Sequence, residues 1–176
     1  MSAELDLWLV RHGATEWSQA GRINGWTDVP LSESGRAQAR TLAAGLDASR
    51  FQGIWSSDLQ RAVETARLAV GTACQDPRLR ELDFGQLEGR TWDECSPRVQ
   101  RSLLDFDRFA APGGESVNQL RSRVLAFIDS LPHGAHLVFT HGGVIRVLRQ
   151  SPGRVRDATD KPSRTHVAPG EIVRVS

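Results

Sequence analysis

Apolar positions along this chain alternate between strand-like runs and helix-like stripes. Residues 5–10 form a short apolar run interrupted only by Asp6, as expected of a first buried strand. After Pro30, Ser32 is placed to cap a helix, and Ala39, Leu42, Ala43 and Leu46 give that helix an apolar face. Residues 53–56 read as a second strand. Asp58 then stands where a cap would precede a helix striped by Leu59, Ala62, Val63, Ala66 and Val70. Residues 73–75 are a short extended piece. Periodicity weakens over 85–114, which predicts loop with short helices. It returns at 115–131, an amphipathic helix through Val117, Leu120, Val124, Phe127, Ile128 and Leu131. Residues 136–140 predict a strand, 144–148 a helix, 161–169 a turn-rich stretch and 171–175 a last strand. Strands alternating with helices predict an α/β layer fold with a mainly parallel sheet.

Composition adds bounds to this picture. The 176 residues show no internal repeat or low-complexity segment, so a single domain over 1–176 is expected. Lys and Arg number 22 against 21 for Asp and Glu, leaving no net field to attract nucleic acid or an acidic membrane. Cys74 and Cys95 lack metal-ligand spacing and read as incidental thiols in a reducing compartment. The first apolar run is too short for a signal peptide or membrane span, and a soluble, cytoplasmic protein is expected.

Candidate chemistry sits at two strand ends. Arg11-His12-Gly13 follows the first apolar run, and Thr140-His141-Gly142-Gly143 follows residues 137–139. The C-terminal ends of strands are where open α/β sheets bind ligands. Two imidazoles and an arginine converging there point to phosphoryl chemistry with a histidine nucleophile. There is no phosphate-binding P-loop, no His-x-x-x-His pair and no paired-aspartate signature, so neither metal nor cofactor is implied.

These residues belong to a longer series of blocks. Leu9-Val10-Arg11-His12-Gly13-Ala14-Thr15-Glu16-Trp17 is followed by Gly25-Trp26-Thr27-Asp28-Val29-Pro30-Leu31, Gly35 and Gln38-Ala39. Next come Ser56-Ser57-Asp58-Leu59-Gln60-Arg61-Ala62, Glu64-Thr65-Ala66, Glu81-Leu82-Asp83-Phe84-Gly85 and Glu88-Gly89. Pro112-Gly113-Gly114-Glu115-Ser116 and Thr140-His141-Gly142-Gly143 complete the series. In order and content it resembles the histidine phosphatase superfamily, also called phosphoglycerate mutase-like. The resemblance implies a three-layer sandwich and a metal-independent phosphomonoester hydrolase acting on a small phosphorylated metabolite. It assigns His12 as nucleophile, Arg11, Arg61 and His141 to the phosphoryl oxygens, and Glu81 as general acid and base.

Each assignment has a chemical reason. A neutral imidazole attacks phosphorus, and neighbouring arginines favour that neutral form. Guanidinium groups match phosphoryl oxygens with paired donors. Arg61 lies in the first turn of its helix, where backbone N–H groups also favour an anion. The bland reading of Arg61 is a solvated helix arginine like Arg67 or Arg123. His141, as imidazolium, would donate to a phosphoryl oxygen, with Gly142 letting the backbone approach. Glu81 competes with a reading as a surface carboxylate paired with Arg78 or Arg80. Glu88 is the rival acid, although Glu88-Gly89 reads as a structural turn. The family usually has Asn where this chain has Ser18. Arg22 and Asn24 occupy positions where it often has a basic residue and a glutamine, so Ser18, Arg22 and Asn24 are candidate substrate contacts. Trp92, Phe106 and Phe109 either line a pocket or bury short helices. Two alternatives remain: a cofactor-dependent phosphoglycerate mutase and a non-catalytic phosphate-binding domain. Against the mutase, 90–111 stands in place of an Arg-Arg-rich substrate segment, and its Pro-Gly-Gly-Glu-Ser ending resembles α-ribazole and broad-specificity phosphatases.

Overall fold

In a computed structural model, which describes residues 5–150 and 167–175, five strands form one sheet. In chain order these are β1 (Leu5–Arg11), β2 (Gly53–Ser56), β3 (Cys74–Gln75), β4 (Gly134–Thr140) and β5 (Ile172–Val175). Their order in space is β3-β2-β4-β1-β5, parallel except for β5, which runs antiparallel along the outer edge of β1. Alternate side chains leave β1 and β4 on opposite faces. Leu7, Leu9 and Val138 enter one core, and Val10, Leu137 and Phe139 enter the other.

The helices are α1 (Glu16–Gln19), α2 (Glu33–Leu42), α3 (Gln60–Val70), α4 (Pro97–Leu104), α5 (Val117–Asp129) and α6 (Gly142–Arg149). α5 and α6 cover the first face through Leu120, Val124, Phe127, Val144, Ile145 and Leu148. α3 covers the second with Ala66 and Ala69, and α2 packs beside it. The architecture is thus the α/β layer fold with a mainly parallel sheet that the pattern predicts, in the three-layer form that the resemblance implies. Among the described residues, no helix is long and apolar enough to cross a membrane.

Local chemistry sets the helix starts. Ser32 caps α2 by accepting from Gly35 N–H, as its position predicts. Ser116 and Gln119 form a reciprocal capping box on α5. α3 differs from expectation. Asp58 does not cap it; its carboxylate takes a two-pronged ion pair from Arg80 at 2.8 and 2.6 Å. The residue before α3 is Leu59, which offers no side-chain acceptor. Asp28, from a distant loop, accepts from Gln60 N–H at 2.7 Å instead. A cap supplied by another segment is invisible to local sequence reasoning. The weakly periodic stretch contains α4 and two short 3-10 turns, and Phe106 and Phe109 are buried while Trp92 is 44% exposed. The predicted turn-rich stretch lies largely outside the described residues; its end, Pro169-Gly170, is a turn.

Candidate active site

The parallel pairing of β1 with β4 puts Arg11 opposite Thr140. Both histidines therefore emerge together at the C-terminal edge of the sheet, their rings 5.1 Å apart. His12 N–H donates to Thr140 O at 3.0 Å, which extends the ladder to His12 itself.

The turn after His12 is tied at each peptide. Gly13 N–H donates to Thr65 Oγ1 at 3.0 Å, and Thr65 Oγ1 donates to Arg61 O at 2.6 Å. Ala14 N–H donates to Gln38 Oε1 at 2.8 Å. His12 Nδ1 lies 2.7 Å from Gly13 O. A carbonyl only accepts, so Nδ1 carries the proton and Nε2 keeps its lone pair. Burial, reinforced by Arg61 and Arg11, holds the His12 pKa well below the ordinary histidine value.

Arg61 is fully buried, not a solvated helix residue. It reaches across to a loop, donating from Nη2 to Gly25 O at 2.6 Å and from Nη1 to Thr27 O at 3.2 Å. Burial pulls its pKa down to about 10, against the opposing pull of Glu81, so it stays cationic near neutrality. Arg11 donates through Nη1 to Val167 O. The Nε atoms of Arg11 and Arg61 are buried without partners among the described residues, as are both nitrogens of His141 and the amide of Asn24. Unpaired buried donors are costly unless something fills them.

Burial, Arg61, His12 and Arg11 also hold the His141 pKa well below the ordinary value, so in the free protein it is neutral rather than the imidazolium the sequence invites. An anion arriving among these groups opposes that shift.

Glu81 is buried and does not pair with Arg78 or Arg80, which turn to Asp76 and Asp58. Its carboxylate accepts from Leu82 N–H at 2.8 Å and Gly143 N–H at 3.0 Å. A Cβ on Gly143 would overlap that carboxylate. At Gly142 it would sit 3.7 Å from the Arg11 guanidinium, an ordinary contact. Gly143 is thus the sterically demanding glycine of the pair. The main-chain carbonyl of Glu81 is braced twice, by Trp26 Nε1 at 2.8 Å and Arg123 Nη2 at 2.7 Å. Arg123 is no solvated arginine: it also donates to the carbonyls of Arg78 and Arg80 and pairs with Glu115.

Glu88 clamps a loop. It accepts from Trp26 N–H at 2.7 Å, Thr27 N–H at 2.6 Å and the Thr27 hydroxyl. Ser18 is spent locally, accepting from Thr15 N–H and donating to Thr15 O in a capping box. Arg22 is exposed and donates to Gly89 O at 2.6 Å. Gln38, Thr65, Trp26 and Arg123 are site-supporting residues that single-residue reasoning passes over. The first three lie inside the sequence blocks quoted above; Arg123 follows the Glu115-Ser116 block on the next helix.

The histidine phosphatase superfamily (branch 1) model matches residues 7–173. A probable phosphoglycerate mutase GpmB of Serratia proteamaculans is 37% identical over 151 residues, covering 78% of this chain and 70% of that protein. The Proteus mirabilis protein of that name is 40% identical over the same shares. A crystal structure of phosphoglycerate mutase from Thermus thermophilus superposes with TM-score 0.84 at 42% identity, covering 97% of this chain and 92% of that one. A putative α-ribazole-5'-P phosphatase from Escherichia coli gives TM-score 0.71 at 27% identity, covering 85% and 81%. With matches across nearly its whole length and the two histidines at neighbouring strand ends, the chain belongs to the histidine phosphatase superfamily, branch 1.

Proposed function

We propose that this enzyme is a metal-independent phosphomonoester hydrolase working through a phosphohistidine on His12. The observation that carries this reading is the set of buried, unpartnered donors on Arg11, Arg61 and His141 beside a neutral imidazole whose Nε2 is unclaimed among the described residues. Such a set binds the oxygens of a phosphoryl group and stabilises them most when charge develops in the transition state. His12 Nε2 forms a bond to phosphorus as the bond to the ester oxygen breaks. Glu81 gives that oxygen a proton. Glu81 then takes a proton from water, which attacks phosphorus and frees His12. The two arginines supply the positive charge this requires.

Trapping tests the proposal. Acid-quenched and base-quenched enzyme, mixed with a labelled phosphomonoester, should carry an acid-labile, base-stable label that disappears in His12→Ala. A competent quench without label, together with activity surviving in His12→Ala, would sink it.

A second reading is favoured by the names of the mutase relatives: the same residues returning the phosphoryl group to a glycerate. The segment 90–111 weighs against it, because Arg98, Arg101 and Arg108 are exposed and stand singly along it rather than in an Arg-Arg-rich run. Supplying 3-phosphoglycerate with catalytic bisphosphoglycerate separates the two. Isomerisation outpacing phosphate release would establish the mutase. The substrate expected here is a small-molecule phosphomonoester, and a panel of phosphorylated metabolites would identify it.

A further inference from the structure

We infer that Gln38 is a positioning residue for the nucleophile, acting through one peptide group to hold His12 in its attacking tautomer. The inference rests on His12 being the nucleophile. A neutral imidazole has two tautomers, and only the one protonated at Nδ1 leaves a lone pair on Nε2. The acceptor that selects it is Gly13 O, 2.7 Å from Nδ1. That carbonyl shares a peptide unit with Ala14 N–H, which donates to Gln38 Oε1 at 2.8 Å. The Gln38 amide oxygen therefore draws on one end of the peptide whose other end accepts from His12. Hydrogen bonds in such a chain polarise one another, and the carbonyl becomes a better acceptor for Nδ1–H.

The arrangement is separable from the docking of α2. Ser32 N–H and Ser32 Oγ both donate to Ala14 O, at 2.9 and 3.1 Å. Gly13 and Gly35 meet backbone to backbone, where a Cβ on either would overlap the other segment. These contacts seat α2 on the nucleophile turn without help from the Gln38 amide. Thr65 fixes the preceding peptide through Gly13 N–H. Gln38 is thus the side-chain partner of the one peptide unit that sets the tautomer.

The test is nitrogen-15 NMR of the unliganded enzyme with labelled histidine, beside rapid-quench phosphorylation by p-nitrophenyl phosphate. Wild type should show His12 with a protonated Nδ1 and an unprotonated Nε2. In Gln38→Met, which keeps length and removes the acceptor, the Nδ1 proton should move upfield and a fraction protonated at Nε2 should appear. Phosphorylation should slow by roughly tenfold, in the range of outer-shell partners, with KM little changed. Gln38→Glu, a stronger acceptor, should keep His12 protonated at Nδ1, move that proton downfield of its wild-type position and keep phosphorylation fast. An unchanged His12 spectrum in Gln38→Met, or a Gln38→Glu spectrum without that downfield shift, would overturn the inference. Should Gln38→Met not fold, Gln38→Glu decides alone: the stronger acceptor should move the Nδ1 proton downfield, and no movement overturns the proposal. If wild type never becomes phosphorylated, the functional reading fails, while the spectra still report whether Gln38 controls the tautomer.

Discussion

His12 and His141 make the folded protein sensitive to mild acid. An unfolded histidine titrates near pH 6.5, whereas both folded values lie well below it. Between those values the unfolded chain binds protons that the folded chain does not. Stability therefore falls as pH drops below about 6.5, with a limiting slope of about 1.4 kcal/mol per pH unit for each histidine. Above that pH neither residue contributes. In phosphate-free buffer the denaturant midpoint should fall between pH 7.5 and 5.5, and His141→Asn should flatten the fall; a level profile in wild type would refute the burial argument. Arg61 gives a second prediction at this scale. Arg61→Ala should lose turnover by an amount equivalent to about 3 kcal/mol or more, the usual cost of removing an aimed transition-state donor. The exposed Arg67→Ala is the control. Arg61→Lys should recover little, because a single ammonium nitrogen cannot reproduce the separate Nη1 and Nη2 donors that reach two loop carbonyls and the Nε donor left unpartnered among the described residues. Equal kinetics for the alanine variants would remove Arg61 from the mechanism.

Among the elements, α5 does more than cover the sheet. Through Arg123 it reaches the carbonyls of Arg78, Arg80 and Glu81, and so fixes the segment that carries Glu81, the proposed general acid. Arg123→Met should slow alkyl phosphates, whose leaving oxygens need a proton, more than nitrophenyl phosphate, whose leaving oxygen hardly does. The exposed Arg101→Met should affect neither. A uniform loss on both esters would mean that Arg123 only stabilises the fold. Gly143→Ala, at the start of α6, should show the same leaving-group bias, since the added methyl displaces the Glu81 carboxylate. The elements also show what sequence can and cannot reveal. Ser32 is readable as a cap because donor and acceptor lie three residues apart. Asp58 misleads because its partner, Arg80, and the actual cap, Asp28, come from remote segments. Arg123 reads as solvated for the same reason: helical position gives no hint of carbonyls that another segment will bring. His12, Arg61, Glu81 and His141 stand out because their side-chain chemistry and their blocks identify them before any contact is known.

At the scale of the whole molecule, charge for the phosphoryl group comes from Arg11 and Arg61 under the proposed mechanism. Chelator should leave hydrolysis unchanged, and vanadate, which adopts a five-coordinate geometry, should inhibit; loss of activity on chelation with recovery on adding a divalent ion would refute the metal-free reading. The sheet order has a further consequence, for how the site comes into being. The two histidines are carried by β1 and β4, neighbours in space whose sequences are separated by most of the chain. Every segment that threads the intervening layers must be synthesised and collapsed before those strands can zip. Pairings of such long range form slowly, after local helices. During refolding, helical signal should therefore return ahead of vanadate binding, and binding should track the slowest phase. Under the proposed mechanism, a chain interrupted before β4 retains His12 but has no second histidine to complete the anion pocket, so unfinished copies emerging from the ribosome would be unable to hold a phosphoryl group.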